Sequence, residues 1–174
     1  MEVRAAQRQA NIQLPYVKRA GGVPLRDALS RRASNRNFDR SALDLQTIAD
    51  LLWAGFGVNR LDDGGRTAPS ARNWREIEIY VALADAAYRY DPLLNRLDFV
   101  VDGDIRALTG VQDFVGEPPL NLIYVADYAK MEGTSEAQRD VFAAADAACI
   151  AQNVYLFCAA EGLATVVRAL IDRS

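Results

Sequence analysis

The sequence predicts an α+β fold on three observations. Short segments of apolar character joined by turn residues run from residue 76 to residue 127 and read as hairpin strands. A later stretch, from about Arg139 to Glu161, is apolar around nearly its whole circumference, the mark of a helix buried at the centre of a domain. Helical patterns stand on both sides of the strand group instead of alternating with single strands, so a central mixed or antiparallel sheet flanked by helices is expected. With 174 residues, 51% of them hydrophobic and 25% charged, the chain has the size and composition of one globular domain.

Residues 1–24 read as an N-terminal arm, because Pro15, Gly21, Gly22 and Pro24 interrupt any regular element, and the domain is expected to span residues 25–174. Pro24 then starts a short helix with Leu25, Ala28 and Leu29 on one face. Asp44 is a suitable N-cap for a second helix whose apolar face is Leu45, Ile48, Leu51, Leu52, Gly55 and Phe56, ending at Gly57. The stretch NRLDDGGRTAPSARNW, residues 59–74, is dense in Gly, Asp, Asn and Ser and reads as a long loop. Strands are expected at 76–83, 88–91, 97–101 and 120–127, the last apolar enough to be a central strand covered on both faces. The long helix ends at Gly162, and LATVV, residues 163–167, reads as a further strand.

Charge and composition exclude several functions. A net charge of -3 gives no basic face for nucleic acid, so an anion site must be local. The chain has no histidine, which removes the commonest metal ligand and the usual base near neutral pH. Cys149 and Cys158 lie nine residues apart on one helix, too far to form a disulfide with each other, and read as core thiols in a reducing compartment. No uninterrupted apolar run reaches the ~20 residues of a membrane span, and the first residues lack a signal-peptide core. A cytoplasmic protein is expected, with an exported form whose leader has been removed as the alternative.

The densest local charge is SRRASNRNFD, Ser30 to Asp39. Its arginines can be helix C-terminal residues favoured by the macrodipole, or a cradle of guanidinium forks and a serine hydroxyl around one phosphate. The run Arg32-Ala33-Ser34-Asn35-Arg36-Asn37-Phe38 resembles the opening motif of the nitroreductase superfamily. RTAPSARN, residues 66–73, is similar to that family's Pro-Ser loop with its downstream Asn. DAACIAQNVYLFCAAEGLATVVRALID, residues 146–172, resembles its buried central helix and the segment that passes the flavin. LLWAGFGVNR, RTAPSA, IEIYV, QNVYL and EGLATVV together look like the SagB-type branch, and the resemblance covers roughly residues 14–173.

The resemblance implies an intertwined homodimer with FMN at the subunit interface. Arg32, Ser34 and Arg36, with the backbone of Ala33, would hold the phosphate and ribityl end, and Asn73 would meet the polar edge of the ring. Ser70 and Ala71 would reach the flavin of the partner subunit, and the backbones of Ala169 and Leu170 would lie near N5. NAD(P)H would be the reductant and a nitroaromatic or quinone the acceptor. Oxidation of azoline rings in peptides, or a non-catalytic flavin-binding role, are the alternatives. The family pattern continues into a further helix and strand, so the chain reads as C-terminally short. Arg75 stands where relatives carry an amide, and Gln152 and Asn153, amides within an apolar helix, are expected in a network at the dimer core.

Overall fold

One antiparallel sheet and one long helix carry the architecture. The computed structural model describes residues 10–172, so residues 1–9 of the expected arm and the last two residues of the chain lie outside the described residues. In chain order the elements are β1 (Ile12–Gln13), α1 (Leu25–Arg31), α2 (Leu45–Phe56), β2 (Val58–Arg60), β3 (Gly65–Arg66), β4 (Ile77–Ala82), β5 (Ala86–Asp91), β6 (Arg96–Asp102), β7 (Asn121–Ala126) and α3 (Glu136–Glu161). The sheet has the order β1-β6-β5-β4-β7 with every neighbour antiparallel, and β2 and β3 form a separate two-stranded ribbon. The α+β class is as the sequence predicts.

The period-2 pattern of β4 turns Ile77, Ile79 and Val81 into the core, where they meet Ile48, Leu52 and Phe56 of α2 and Ile150 of α3. The Asp44 side chain caps α2 by accepting from the Thr47 N–H at 2.6 Å. The helix stops at Gly57, where the chain turns extended at ψ 166° and a Cβ would stand only 2.3 Å from Cδ1 of Trp53. A capping box between Ser135 and Gln138 starts α3, and Gly162 ends it in the left-handed conformation at φ 72°. Within α3, Ile150, Val154 and Cys158 are buried and Leu51 packs on the latter pair. Both cysteines are free thiols. By length and hydropathy α3 could cross a bilayer, which the run-length reading missed because Asp146 interrupts the apolar stretch; its packing on α1, α2 and β4 is that of a core helix.

Five local expectations are corrected. The lead-in is not simply an extended arm: Ile12 pairs with Leu97 and Leu14 is buried in the core. Residues 59–66 of the expected loop belong, with Val58, to the β2–β3 ribbon, and Ala71–Asn73 form a 3-10 turn. β7 is an edge strand, not a central one, and its side chains are mostly half-buried. Residues 163–167 form no ladder; they are held by other bonds described below. On α1 only Ala28 is buried, while Leu25 and Leu29 are exposed, as is Val141 on α3. Gln152 is exposed in the single chain, and Asn153 donates to the Gly55 carbonyl at 3.5 Å across the α2–α3 contact.

That contact is close because residue 55 has no side chain. A Cβ at Gly55 would lie 3.2 Å from Val154 Cγ2. Gly55→Leu should therefore destabilise the fold by about 1–3 kcal/mol through overpacking. Urea unfolding checks this, and an unchanged midpoint would contradict the packing described.

Candidate functional site

The arginine-rich loop is built by the end of α1 and fastened to α3. Arg32 leaves the helical conformation with ψ 117° while its N–H still reaches the Ala28 carbonyl at 3.0 Å, so the chain turns away at this residue. Tyr155, buried on α3, places its hydroxyl 2.8 Å from Ser34 Oγ, and the same oxygen accepts the Val167 N–H at 2.9 Å. The Asn35 N–H donates to the Thr165 carbonyl at 2.9 Å. One tyrosine thus joins the loop around Ser34 to the segment after Gly162, which explains how residues 163–167 are ordered without a sheet partner.

The cations of this loop are held by aromatic faces. The Arg32 guanidinium lies over the Tyr155 ring at 5.3 Å, and that of Arg36 lies over Phe114 at 5.7 Å. Phe38 stacks on the same Phe114 ring. Among the described residues neither guanidinium makes an ion pair or a hydrogen bond, whereas Arg40 and Arg106 pair with Glu117 and Asp104. Ala33 is exposed between Arg32 and Ser34.

Beside the loop lies a cleft of about 740 Å³, walled by Phe38, Tyr124, Tyr155, Val166 and Ala169 among others. Arg168 also lines it. Its Nη2 donates to Thr109 Oγ1 at 3.2 Å and to Asn121 Oδ1 at 3.3 Å, while Nη1 is buried without a hydrogen-bond partner. Burial lowers its pKa from the ordinary arginine value. Leu170 is exposed and lies outside the cleft lining, with its carbonyl 3.4 Å from the Val111 nitrogen that donates to it. At the back of the cleft the Cys158 thiol is pushed up to about 11 by burial, which makes it an inert core thiol.

The Pro-Ser loop is fixed by carboxylates. Asp146 of α3 accepts the Ala71 N–H at 2.7 Å. Ser70 Oγ donates to Glu76 Oε2 at 3.1 Å and accepts the Arg75 N–H at 2.8 Å. Asn73 Oδ1 accepts from Arg75 Nε at 2.9 Å, and Arg75 Nη2 donates to the Asp63 carbonyl at 2.7 Å. Arg72, Asn73 and Arg75 all have positive φ, at 49°, 58° and 53°. Three left-handed non-glycine residues within four positions are costly, and such strain concentrates where a loop must hold one shape.

One chain therefore brings Arg32, Ala33, Ser34 and Arg36 together with Ala169 at one end of α3. It keeps Ser70, Ala71 and Asn73 beside Asp146, nine residues and about 13 Å earlier along the helix. Sequence reasoning missed Tyr155, Asp146, Glu76 and Arg168. The signal for Asp146 was its place as the lone acid in an otherwise apolar stretch, since a buried carboxylate needs a partner; Glu76 looked like an ordinary strand terminus.

An α+β domain with a cationic loop and a strained loop fastened to one buried helix is the class that fold and site define. The model of the Nitroreductase family matches residues 29–174, and the chain belongs to that family of oxidoreductases. A crystal structure from Ralstonia eutropha, provisionally called a nitroreductase, is 44% identical with a TM-score of 0.91, covering 95% of this chain and 79% of that one. A Methanocaldococcus jannaschii protein that carries a provisional nitroreductase name is 30% identical over 165 residues, 89% of this chain and 81% of its own. A Desulfovibrio desulfuricans structure of a provisional nitroreductase in complex with FMN shares the fold at 20% identity and a TM-score of 0.50, covering 79% of this chain and 63% of that one.

The carboxyl pair gives the loop a pH dependence. Glu76 is fully buried, and burial, with the Asp146 charge adding to it, holds its pKa above the ordinary carboxyl value. A pKa raised in the folded state favours the folded state below the unfolded value, and this contribution is lost as pH rises through the folded value. The melting temperature should therefore fall as pH rises above the usual carboxyl range, and Glu76→Gln should flatten that fall. Thermal melts across pH check both; a wild-type profile unaltered by the substitution would contradict this assignment.

Proposed function

We propose that this protein is an FMN-dependent oxidoreductase that draws hydride from NAD(P)H and delivers it to a small organic acceptor such as a nitroaromatic or a quinone. The observation that carries the reading is the pair of guanidinium groups, Arg32 and Arg36, which flank Ser34 beside the large cleft and have no carboxylate partner among the described residues. Two uncompensated cations and a hydroxyl suit a phosphate dianion, and the orphan Nη1 of Arg168 adds a donor on the cleft wall. The apolar walls suit a planar ring system. The residues present thus fit FMN, which is the ligand named for the Desulfovibrio relative.

In this reading the domain of residues 25–174 holds the cofactor. Arg32, Ser34 and Arg36, with the Ala33 backbone, bind the phosphate end, and the Ala169 and Leu170 backbones border the ring. Bound flavin supplies the redox chemistry by accepting hydride and passing it on. The protein's part is to hold, orient and leave one face open, which a chain without histidine can do. The Asn73 amide meets the polar edge of the ring, and Ser70 and Ala71 reach the flavin of a second subunit. Exposed Leu25, Leu29 and Val141 and the free β7 edge support a homodimer. Nucleic acid and membrane are not partners, and the cytoplasm is the location.

The reductase reading is preferred to azoline oxidation, which needs a base for a ring proton. Lys130 is committed to Glu78 at 2.9 Å and Asp127 at 3.5 Å. For the double variant Arg32→Ala/Arg36→Ala we expect an intact fold by circular dichroism and FMN affinity weakened about 100-fold or more, since each charged hydrogen bond is worth about 1.5–3 kcal/mol. Absorbance after desalting reads the flavin, and NAD(P)H consumption with a quinone or nitroarene reads turnover. Unchanged flavin retention by the double variant would overturn the cradle.

A further inference from the structure

A second, smaller cavity of about 180 Å³ lies away from the cleft, where the β2–β3 ribbon and the Pro-Ser loop meet the sheet. Four cations line it, Arg66, Arg75, Arg89 and Lys130, against two carboxylates, Glu78 and Asp91. Both carboxylates are already engaged. Glu78 Oε1 is 2.9 Å from Lys130 Nζ, and Asp91 Oδ1 accepts the Leu93 and Leu94 N–H groups at 2.9 and 3.0 Å. Arg89 reaches outward to Asp98 at 3.5 Å.

Among the described residues neither Arg66 nor Arg75 makes an ion pair, although the Asp91 charge acts favourably on Arg66 across the cavity. The Arg66 guanidinium sits over the Phe56 ring at 5.4 Å, and its Nε and Nη1 are buried with no hydrogen-bond partner among the described residues. Arg75 donates only to neutral oxygens, Asn73 Oδ1 and the Asp63 carbonyl. Burial and the neighbouring Arg75 charge both lower the Arg66 pKa from its ordinary value. Even so, a guanidinium stays protonated at any ordinary pH, so the charge cannot be relieved by losing a proton. Adjacent like charges are unfavourable, and an anion in the cavity beside Arg66 and Arg75 offsets their repulsion.

We propose that this cavity binds one oxyanion of phosphate size, with Arg66 and Arg75 as its charged ligands. The volume is well above the roughly 10–15 Å³ of such space that one water needs, so a phosphate group with some hydration fits. Free inorganic phosphate and the phosphate end of a phosphomonoester present the same chemistry. Because Asn73 holds Arg75, an occupant is tied directly to the Pro-Ser loop. The site shares no lining residue with the proposed cofactor cleft and does not rest on that reading.

The test is calorimetric titration of inorganic phosphate into the Arg32→Ala/Arg36→Ala protein, so that the proposed FMN cradle cannot supply the signal, with chloride at matched ionic strength as control. Saturable binding of one phosphate per chain is expected, weakened at least tenfold by adding Arg66→Gln and likewise by adding Arg75→Gln. A parallel titration with glycerol phosphate distinguishes the sources: tighter binding than phosphate assigns the group to a phosphomonoester, and equal binding assigns it to the free ion. Absence of saturable binding, or binding untouched by the arginine substitutions, overturns the proposal. If Arg66→Gln fails to fold, the less buried Arg75→Gln decides, and unchanged affinity in that variant is sufficient to overturn it.

Discussion

The structure depends on α3 burying one face that nevertheless carries polar groups needing to be satisfied. In the low dielectric of a core an unpaired carboxylate or hydroxyl is costly, so each such group fixes whatever partner satisfies it. Asp146 and Tyr155 are those groups, and their partners are the backbone of the Pro-Ser loop and the loop around Ser34. Neither loop has a sheet or helix of its own to define it at these positions. Their separation is therefore set by the rise of one helix, which is among the stiffest rulers a protein has.

Strain and restraint meet in the Pro-Ser loop. Left-handed conformations at Arg72, Asn73 and Arg75 are unfavourable by about 1–2 kcal/mol each for side chains with a Cβ, least for Asn. The chain tolerates them because Asp146 holds the Ala71 N–H, Glu76 holds Ser70 Oγ, and that same hydroxyl oxygen accepts the Arg75 N–H. A loop held this way presents the Asn73 side chain and the guanidinium of Arg75 in fixed positions. Fixed positions matter more for binding a rigid planar ligand or a small anion than for stability, since ordering is then complete before binding.

The elements that the sequence made legible are those specified locally. The periodicity of α2 and α3, the Asp44 cap and the strand patterns at 77–82 and 97–101 need only neighbours in the chain to be recognised. What was not legible depends on distant partners. The Ile12–Gln13 strand exists because Leu97 and Arg96 lie opposite it, and β7 is an edge strand because among the described residues it pairs with β4 alone. The segment 163–167 has strand composition but finds Tyr155 and Asn35 in place of a ladder. The candidate site divides in the same way. The contiguous run from Arg32 to Arg36 was readable, while Tyr155, Asp146 and Glu76 were hidden because a buried polar residue serving a loop looks, in one dimension, like any core position.

The arginines themselves separate into two kinds, and the difference bears on function. Arg40, Arg96 and Arg106 sit within hydrogen-bond reach of carboxylates, so their charge is compensated within the chain. Arg32, Arg36 and Arg66 instead rest on the faces of Tyr155, Phe114 and Phe56. An aromatic face attracts a cation and orients the guanidinium plane, but it accepts no strong hydrogen bond and carries no net charge. The donors stay available and the positive charge stays uncompensated. A chain with a net charge of -3 has no shortage of carboxylates to pair with, yet these three rest on rings, as do Arg19 on Trp53 and Arg72 on Trp74. The proposed cofactor cradle and the proposed oxyanion cavity share this construction although no residue is common to both.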